Sequence, residues 1–215
     1  MKIVASLVVL FVVFSSNAQY SYYFAEPLPT AGNEIKVVNE KYFGEYATKD
    51  GTLTYVFNAN GITLVSSTFS SINKETVRES SQYSVRNGFI FGVEKNDSVP
   101  CILEDGVYYF AIRNNDQFVG GAAKNVLTST STPGWYVLNV YDNGNYIPQL
   151  LRFNGKKLEV AHFDYDGEKP NEFDFIEEQE ELPLDGLNLV ILKPEASDFD
   201  RIVSQSLIED MTLKR

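Results

Sequence analysis

The chain has 215 residues with 18 Lys and Arg against 29 Asp and Glu, a formal charge of −11. That balance excludes nucleic acid as a natural partner, because nucleic acid is held mainly by Lys and Arg at its phosphates, and it disfavours adhesion to an anionic membrane surface. One cysteine, Cys101, and one histidine, His162, rule out an intramolecular disulfide and a cysteine metal site.

The first element is an export signal. Lys2 forms a short positive n-region, Ile3 to Phe14 an apolar stretch broken only by Ser6, and Ser16 and Ala18 the small residues a signal peptidase accepts. The apolar stretch is too short to span a bilayer, and no second run of about 18 apolar residues follows. The reading is a signal peptide over 1–18 and an exported protein, periplasmic or extracellular, from Gln19. No membrane insertion is expected after cleavage. Loss of Lys2 takes the charge from −11 to −12. Removing 18 of 215 residues leaves 197, enough for one sizeable core, so 19–215 is read as a single domain.

From Ile35 to Leu192 the chain is rich in Val, Tyr, Phe, Ile and Thr and is cut by Gly, Asn or Asp turns. Gly44 to Lys49 and Thr52 to Asn58 pair across Asp50-Gly51, a dipeptide suited to tight hairpin turns. Ile62 and Leu64 carry the alternation onto the next strand. Further hairpins are expected around Arg86-Asn87-Gly88, around Asn114-Asn115-Asp116, around Asp142-Asn143-Gly144 and around Asn154-Gly155. Residues 124–133 form the best loop or seam. A last strand, Leu187 to Leu192, precedes Pro194.

No helix is expected before the end. There Ser197 and Asp200 give a capping signal, and Phe199, Ile202, Val203, Leu207 and Met211 recur at helical spacing. The pattern predicts a helix over about 198–212 packed on the sheet. The fold class is therefore mainly β, an antiparallel meander that closes into a barrel or folds into two layers to protect its edges.

Phe43-Gly44-Glu45-Tyr46 resembles the Gly-x-Trp opening of the first strand in the lipocalin family, with Tyr46 in place of Trp. A meander followed by a C-terminal helix is similar to that family's plan, and the resemblance implies closure of the sheet into a barrel. The chain departs from the family in its single Trp, Trp135, far downstream, and in having no disulfide pair. No functional residue is carried over. The same stretch with Asp50-Gly51 also resembles one unit of a MORN repeat, but it does not recur at a fixed period.

The catalytic inventory is poor. A nucleophile needs a base, and His162 in KKLEVAHFDYD has no nucleophile near it in sequence. Paired His spacing for zinc and a Gly-rich phosphate loop are both missing. Cys101, flanked by apolar residues, reads as a small buried hydrophobe. Carboxylates are abundant, and ten of the 29 acids fall between Asp164 and Asp185. Asp164, Asp166 and Glu168 are the candidate calcium ligands there. Counted as an EF-hand from Asp164, however, position six is Lys169 and position twelve Phe175, where Gly and Glu are required. A solvated acidic excursion with no cofactor is the preferred reading.

Aromatic residues are the other resource, with 13 Tyr and 15 Phe. A tyrosine offers an apolar face and a polar tip, and Tyr46, Tyr55, Tyr108, Trp135 and Tyr141 are the candidate binding residues. Most aromatics are expected in the core. The function expected is an exported, non-enzymatic binding or interaction protein whose partner is a small ligand, a glycan or a protein. The alternatives are a carboxylate-dependent hydrolase, for example acting on glycans, and a structural component of an envelope or extracellular assembly.

Overall fold

A computed structural model describes residues 19–94, 97–163, 173–184, 187–205 and 207–215. Its elements in chain order are β1 (Gln19–Phe24), β2 (Glu34–Ile35), β3 (Gly44–Ala47), β4 (Leu53–Asn58), β5 (Gly61–Asn73), α1 (Lys74–Glu79), β6 (Ser84–Arg86), β7 (Phe89–Glu94) and β8 (Asp97–Glu104). There follow β9 (Val107–Val119), β10 (Val126–Ser129), β11 (Trp135–Asp142), β12 (Asn145–Asn154), β13 (Lys157–Phe163), β14 (Gln179–Leu184), β15 (Leu187–Leu192), α2 (Phe199–Gln205) and β16 (Leu207–Lys214). None of the described helices is long and apolar enough to cross a membrane.

The sheet runs β14-β15-β1-β12-β13-β16-β3-β4-β5-β9-β8-β7-β6, with β11, β10 and β2 branching from β12. Among the described residues its end strands do not pair with each other, so it is an open, mainly antiparallel sheet. One pairing is parallel, β1 with β15, in register from Gln19↔Leu187 to Phe24↔Leu192.

Turn chemistry explains the hairpins. Asn87-Gly88, Asp105-Gly106 and Asn143-Gly144 each hold both residues at positive φ, between 48° and 100°. That is the conformation whose twist matches two antiparallel strands. At the β3–β4 turn, Asp50 Oδ1 accepts from Thr48 Oγ1 (2.6 Å), Thr52 N (3.2 Å) and Thr52 Oγ1 (2.9 Å). These bonds hold the Asp50 carboxyl below the usual carboxylate range.

Two cores share the body. The first gathers Tyr46, Tyr55, Phe57, Ile62, Leu138, Leu151, Leu158, Val160 and Leu213 from β3–β5, β11–β13 and β16. The second lies on the opposite face of the same central strands. It packs Val137, Leu150, Ala161 and Phe163 against Tyr22 and Phe24 of β1 and Ile202 of α2. Strands β11 to β13 are thus buried on both faces, which is why their sequences carry apolar residues at consecutive positions.

Five expectations are corrected. No turn falls at Asn114-Asn115-Asp116: β9 is unbroken, and these residues pair with Ser66, Val65 and Leu64 of an equally long β5. The stretch has no glycine to take a reversed φ, and Asn114 Nδ2 instead donates across the ladder to Thr68 Oγ1 (3.2 Å). The C-terminal helix ends at Gln205. Beyond it β16 pairs with β13 from Phe163↔Leu207 to Lys157↔Lys214. Leu207 and Met211 keep the spacing of one helical turn, but β16 shifts register between Glu209 and Met211, so the two are not two regular strand periods apart. Leu213, buried in the first core, fits only the strand. A helix also occurs early, α1, whose Val77 is buried. The 124–133 stretch contains β10, with Leu127 and Thr128 buried. In the 3-10 turn Ala196–Asp198 that leads into α2, the capping box joins Glu195 and Asp198, whose carboxylate accepts from Glu195 N (2.8 Å), rather than Ser197 and Asp200.

Candidate interaction face

Strands β5 and β9 are each 13 residues long, and only their ends join the body core, through Ile62 and Val119 with Leu64 and Phe118 packed against it. The remainder projects as an outer lobe, completed by β8, β7, β6 and α1. Side chains alternate between the two faces of such a sheet. One face has a small core of Val77, Ile90, Val99 and Phe110, with Ile72, Cys101, Tyr108 and Ile112 packed against it. Burial raises the Cys101 thiol pKa, so the group stays protonated and behaves as a small apolar side chain.

The other face is bare. Phe69 is 74 % exposed, Ile102 72 %, Tyr109 48 %, Phe89 41 % and Phe91 38 %. Register places them on one surface: Ile102 lies opposite Tyr109, Phe69 opposite Ala111, and Phe89 opposite Pro100. With about 200 Å² for each aromatic side chain, the apolar area offered to solvent is roughly 500 Å². This is near the top of the range for the largest patch on a monomer, where such patches are often functional. Charge marks its ends. Glu104, opposite Val107, stands at the tip, and exposed Arg113, opposite Ser67, stands towards the body.

The sequence-selected aromatics do not converge. Tyr46 and Tyr55 are core residues, 0 % and 3 % exposed. The Tyr46 ring packs on Phe57 and Phe153 (5.6 and 5.5 Å between centroids), and its hydroxyl donates to Tyr42 O (3.1 Å). Tyr55 donates to Gln149 Oε1 (3.4 Å). Tyr108 is half-buried on the covered face of the lobe. Trp135 lies under the Arg152 guanidinium (5.6 Å), which pairs with Glu159 (3.4 Å). Tyr141 packs on Tyr146 (5.7 Å) beneath Lys124 (4.8 Å). The candidate calcium ligands Asp164, Asp166 and Glu168 lie outside the described residues. His162 is half-buried on β13, opposite Gln149.

An open cleft of about 400 Å³ is lined by Glu177, Glu178, Lys193, Glu195 and Asp198. Two of its carboxylates are engaged structurally: Glu178 pairs with Lys193 (2.7 Å) and Asp198 caps Glu195. Among the described residues no group of three or more His, Cys, Asp or Glu is placed to hold a metal ion.

Burial pushes the Tyr46 pKa above its ordinary value, with Arg215 opposing. A raised folded value means stability that is complete below about pH 10 and is lost as pH rises through the folded value. Stability should therefore fall with rising pH in that window. Tyr46→Phe is expected to flatten this fall and to remove one tyrosine that titrates above the ordinary range from an ultraviolet tyrosinate titration. Loss of a tyrosine from the ordinary range instead would show that Tyr46 ionises normally.

Phe69, Ile102, Phe89 and Phe91 were not among the aromatics or apolar residues singled out from the sequence. The signal available was the unbroken apolar run Val107-Tyr108-Tyr109-Phe110-Ala111-Ile112, together with Phe89-Ile90-Phe91 and Pro100-Cys101-Ile102-Leu103. Consecutive apolar residues mark strands covered on both faces, and here the described chain covers one. Comparison of the chain with family models, characterised proteins and solved structures finds no match.

Proposed function

We propose that this is an exported, non-enzymatic interaction protein that works through the bare face of the outer lobe. The observation that carries the reading is the mismatch between that face's sequence and its surroundings. Its strands are written for burial on both sides, yet Phe69 and Ile102 are about three-quarters exposed. Export is supported by the charged, apolar and small-residue series of 1–18. The body supplies a rigid anchor, because β5 and β9 stay paired from Ile62↔Val119 to Asn73↔Val107. The lobe therefore presents its face in a fixed orientation, which lowers the ordering cost of association.

A photo-crosslinking amino acid at Tyr109, in the protein expressed in its native host, tests the reading. A covalent adduct with another polypeptide is expected from Tyr109 and not from Ser70, which is exposed on the opposite face of the same lobe. The adduct's mass spectrum should also show a mature N-terminus at Gln19. Equal yields from the two positions, or none from either, would overturn the interaction face. An adduct that retains Met1 would overturn export.

A further inference from the structure

We infer that the partner seated on this face is a second copy of the same chain, packed face to face about a two-fold axis. The inference rests on reading the face as an interaction surface, and it adds what covers it. Three features of the lobe point to self-association.

The first is charge. Residues 66–114 carry five basic and six acidic side chains, a net of −1, against −10 for the rest of the chain's −11. Two acidic proteins repel each other least through this lobe. The second is the layout of charge on the face itself. On β9, Val107 marks the row of Glu104, and Arg113 lies six residues further along. That is roughly 20 Å at strand rise. Midway between the rows is residue 110, and the bare-face residues flanking it are Tyr109 and Ala111. A two-fold axis in the plane of the face, perpendicular to the strands and passing through this midpoint, stacks the strands of the two copies antiparallel. It superposes the two apolar centres and sets Glu104 of each copy over Arg113 of the other. Turning the second copy end for end would put Glu104 over Glu104. Isologous interfaces require a patch complementary to itself, and only the antiparallel arrangement makes this one so.

The third is size. Roughly 500 Å² of apolar surface on each copy, with the polar rim of Ser67, Ser71, Ser98, Arg86 and the two end charges, gives a total near the 1,200 Å² at which specific interfaces begin. A reversible dimer with dissociation in the micromolar range is expected.

The test is sedimentation equilibrium of the 19–215 chain over a wide concentration range. The wild type should dimerise. Ile102→Glu should weaken dimerisation at least ten-fold, because it buries a charge at the apolar centre, whereas Ser70→Glu should leave it unchanged. Glu104→Arg and Arg113→Glu should each weaken it about ten-fold, and the two together should restore it. All four substituted positions are exposed, and circular dichroism confirms that each variant folds. A wild type monomeric throughout, indifference to Ile102→Glu, or a double variant as weak as either single would overturn the two-fold dimer. If the wild type is monomeric while Tyr109 still crosslinks to a polypeptide of another mass, the assignment to a second copy fails and the interaction face stands. If both experiments are negative, both readings fall.

Discussion

Asn139→Ala should lower the melting temperature of the 19–215 chain by roughly 10 °C, the largest effect expected of any polar substitution in the described residues. Asn139 is 0 % exposed on β11 and grips the backbone of Leu28 at both ends. Its Oδ1 accepts from Leu28 N (2.7 Å), and its Nδ2 donates to Leu28 O (2.9 Å). Thr128 Oγ1 donates to the same carbonyl. The clamp ties the connection after β1 to β10 and β11 and seats the Leu28 side chain in the second core. Alanine would strand a buried N–H and leave a small void, at a cost of about 3–4 kcal/mol. In a chain of this length each kcal/mol moves the midpoint by about 2–4 °C. Thr128→Val removes only one of the two donors to Leu28 O and should cost about 1–2 kcal/mol. Equal effects from the two variants would show that the Leu28 N–H bond contributes nothing.

Gly61→Ala should be comparably damaging, for a steric reason. Gly61 has φ +116°, and a Cβ there would lie 2.0 Å from Val119 O, which is backbone and cannot swing aside. The strand pair bulges here between Ile62 and Thr63, and Gln117 Nε2 caps Val119 O at 2.6 Å. Backbone strain and forced displacement together come to about 3–5 kcal/mol. Gly51, also at positive φ (+71°) but with nothing near its missing Cβ, supplies the control. Gly51→Ala should cost about 1 kcal/mol. Urea melts would separate them: a large fall in midpoint at unchanged slope for Gly61→Ala, a small one for Gly51→Ala. Similar midpoints would mean that the bulge yields freely.

These two positions also show what was legible beforehand. Asn87-Gly88 and Asn143-Gly144 were readable as turns because the required φ is local to the dipeptide. Asn114-Asn115-Asp116 was misread because polarity alone does not reverse a chain. Its strand geometry comes from β5, fixed by residues nearly fifty positions earlier. The 198–212 helix fails at its second half because Leu207 and Met211 keep a helical spacing across a strand that shifts register between them, and β13 supplies a ladder that no local signal announces. Asn139 gave no sign at all, since its role depends on a carbonyl 111 residues away. The bare face was half visible. The apolar runs marked β7, β8 and β9 as strands needing two covers, but which face α1 would shield was decided by tertiary packing. Choosing aromatics by type instead favoured Tyr46 and Tyr55, whose alternation points inward.

The parallel pairing of β1 with β15 constrains the order in which the molecule can be completed. The first described strand has no partner among its neighbours in sequence: it pairs with β12 only at Tyr146, and otherwise waits for residues 187–192. Tyr22 and Phe24 therefore remain uncovered until almost the whole chain has been delivered. A chain threaded from its N-terminus would carry its most aromatic strand unsatisfied through the entire passage. Pairing over such sequence distances is slow. The hairpins from β3 to β9 can assemble early, whereas the second core closes last. Chains cut short before residue 187 would have a formed lobe and an open body, the kind of species that quality-control proteases remove.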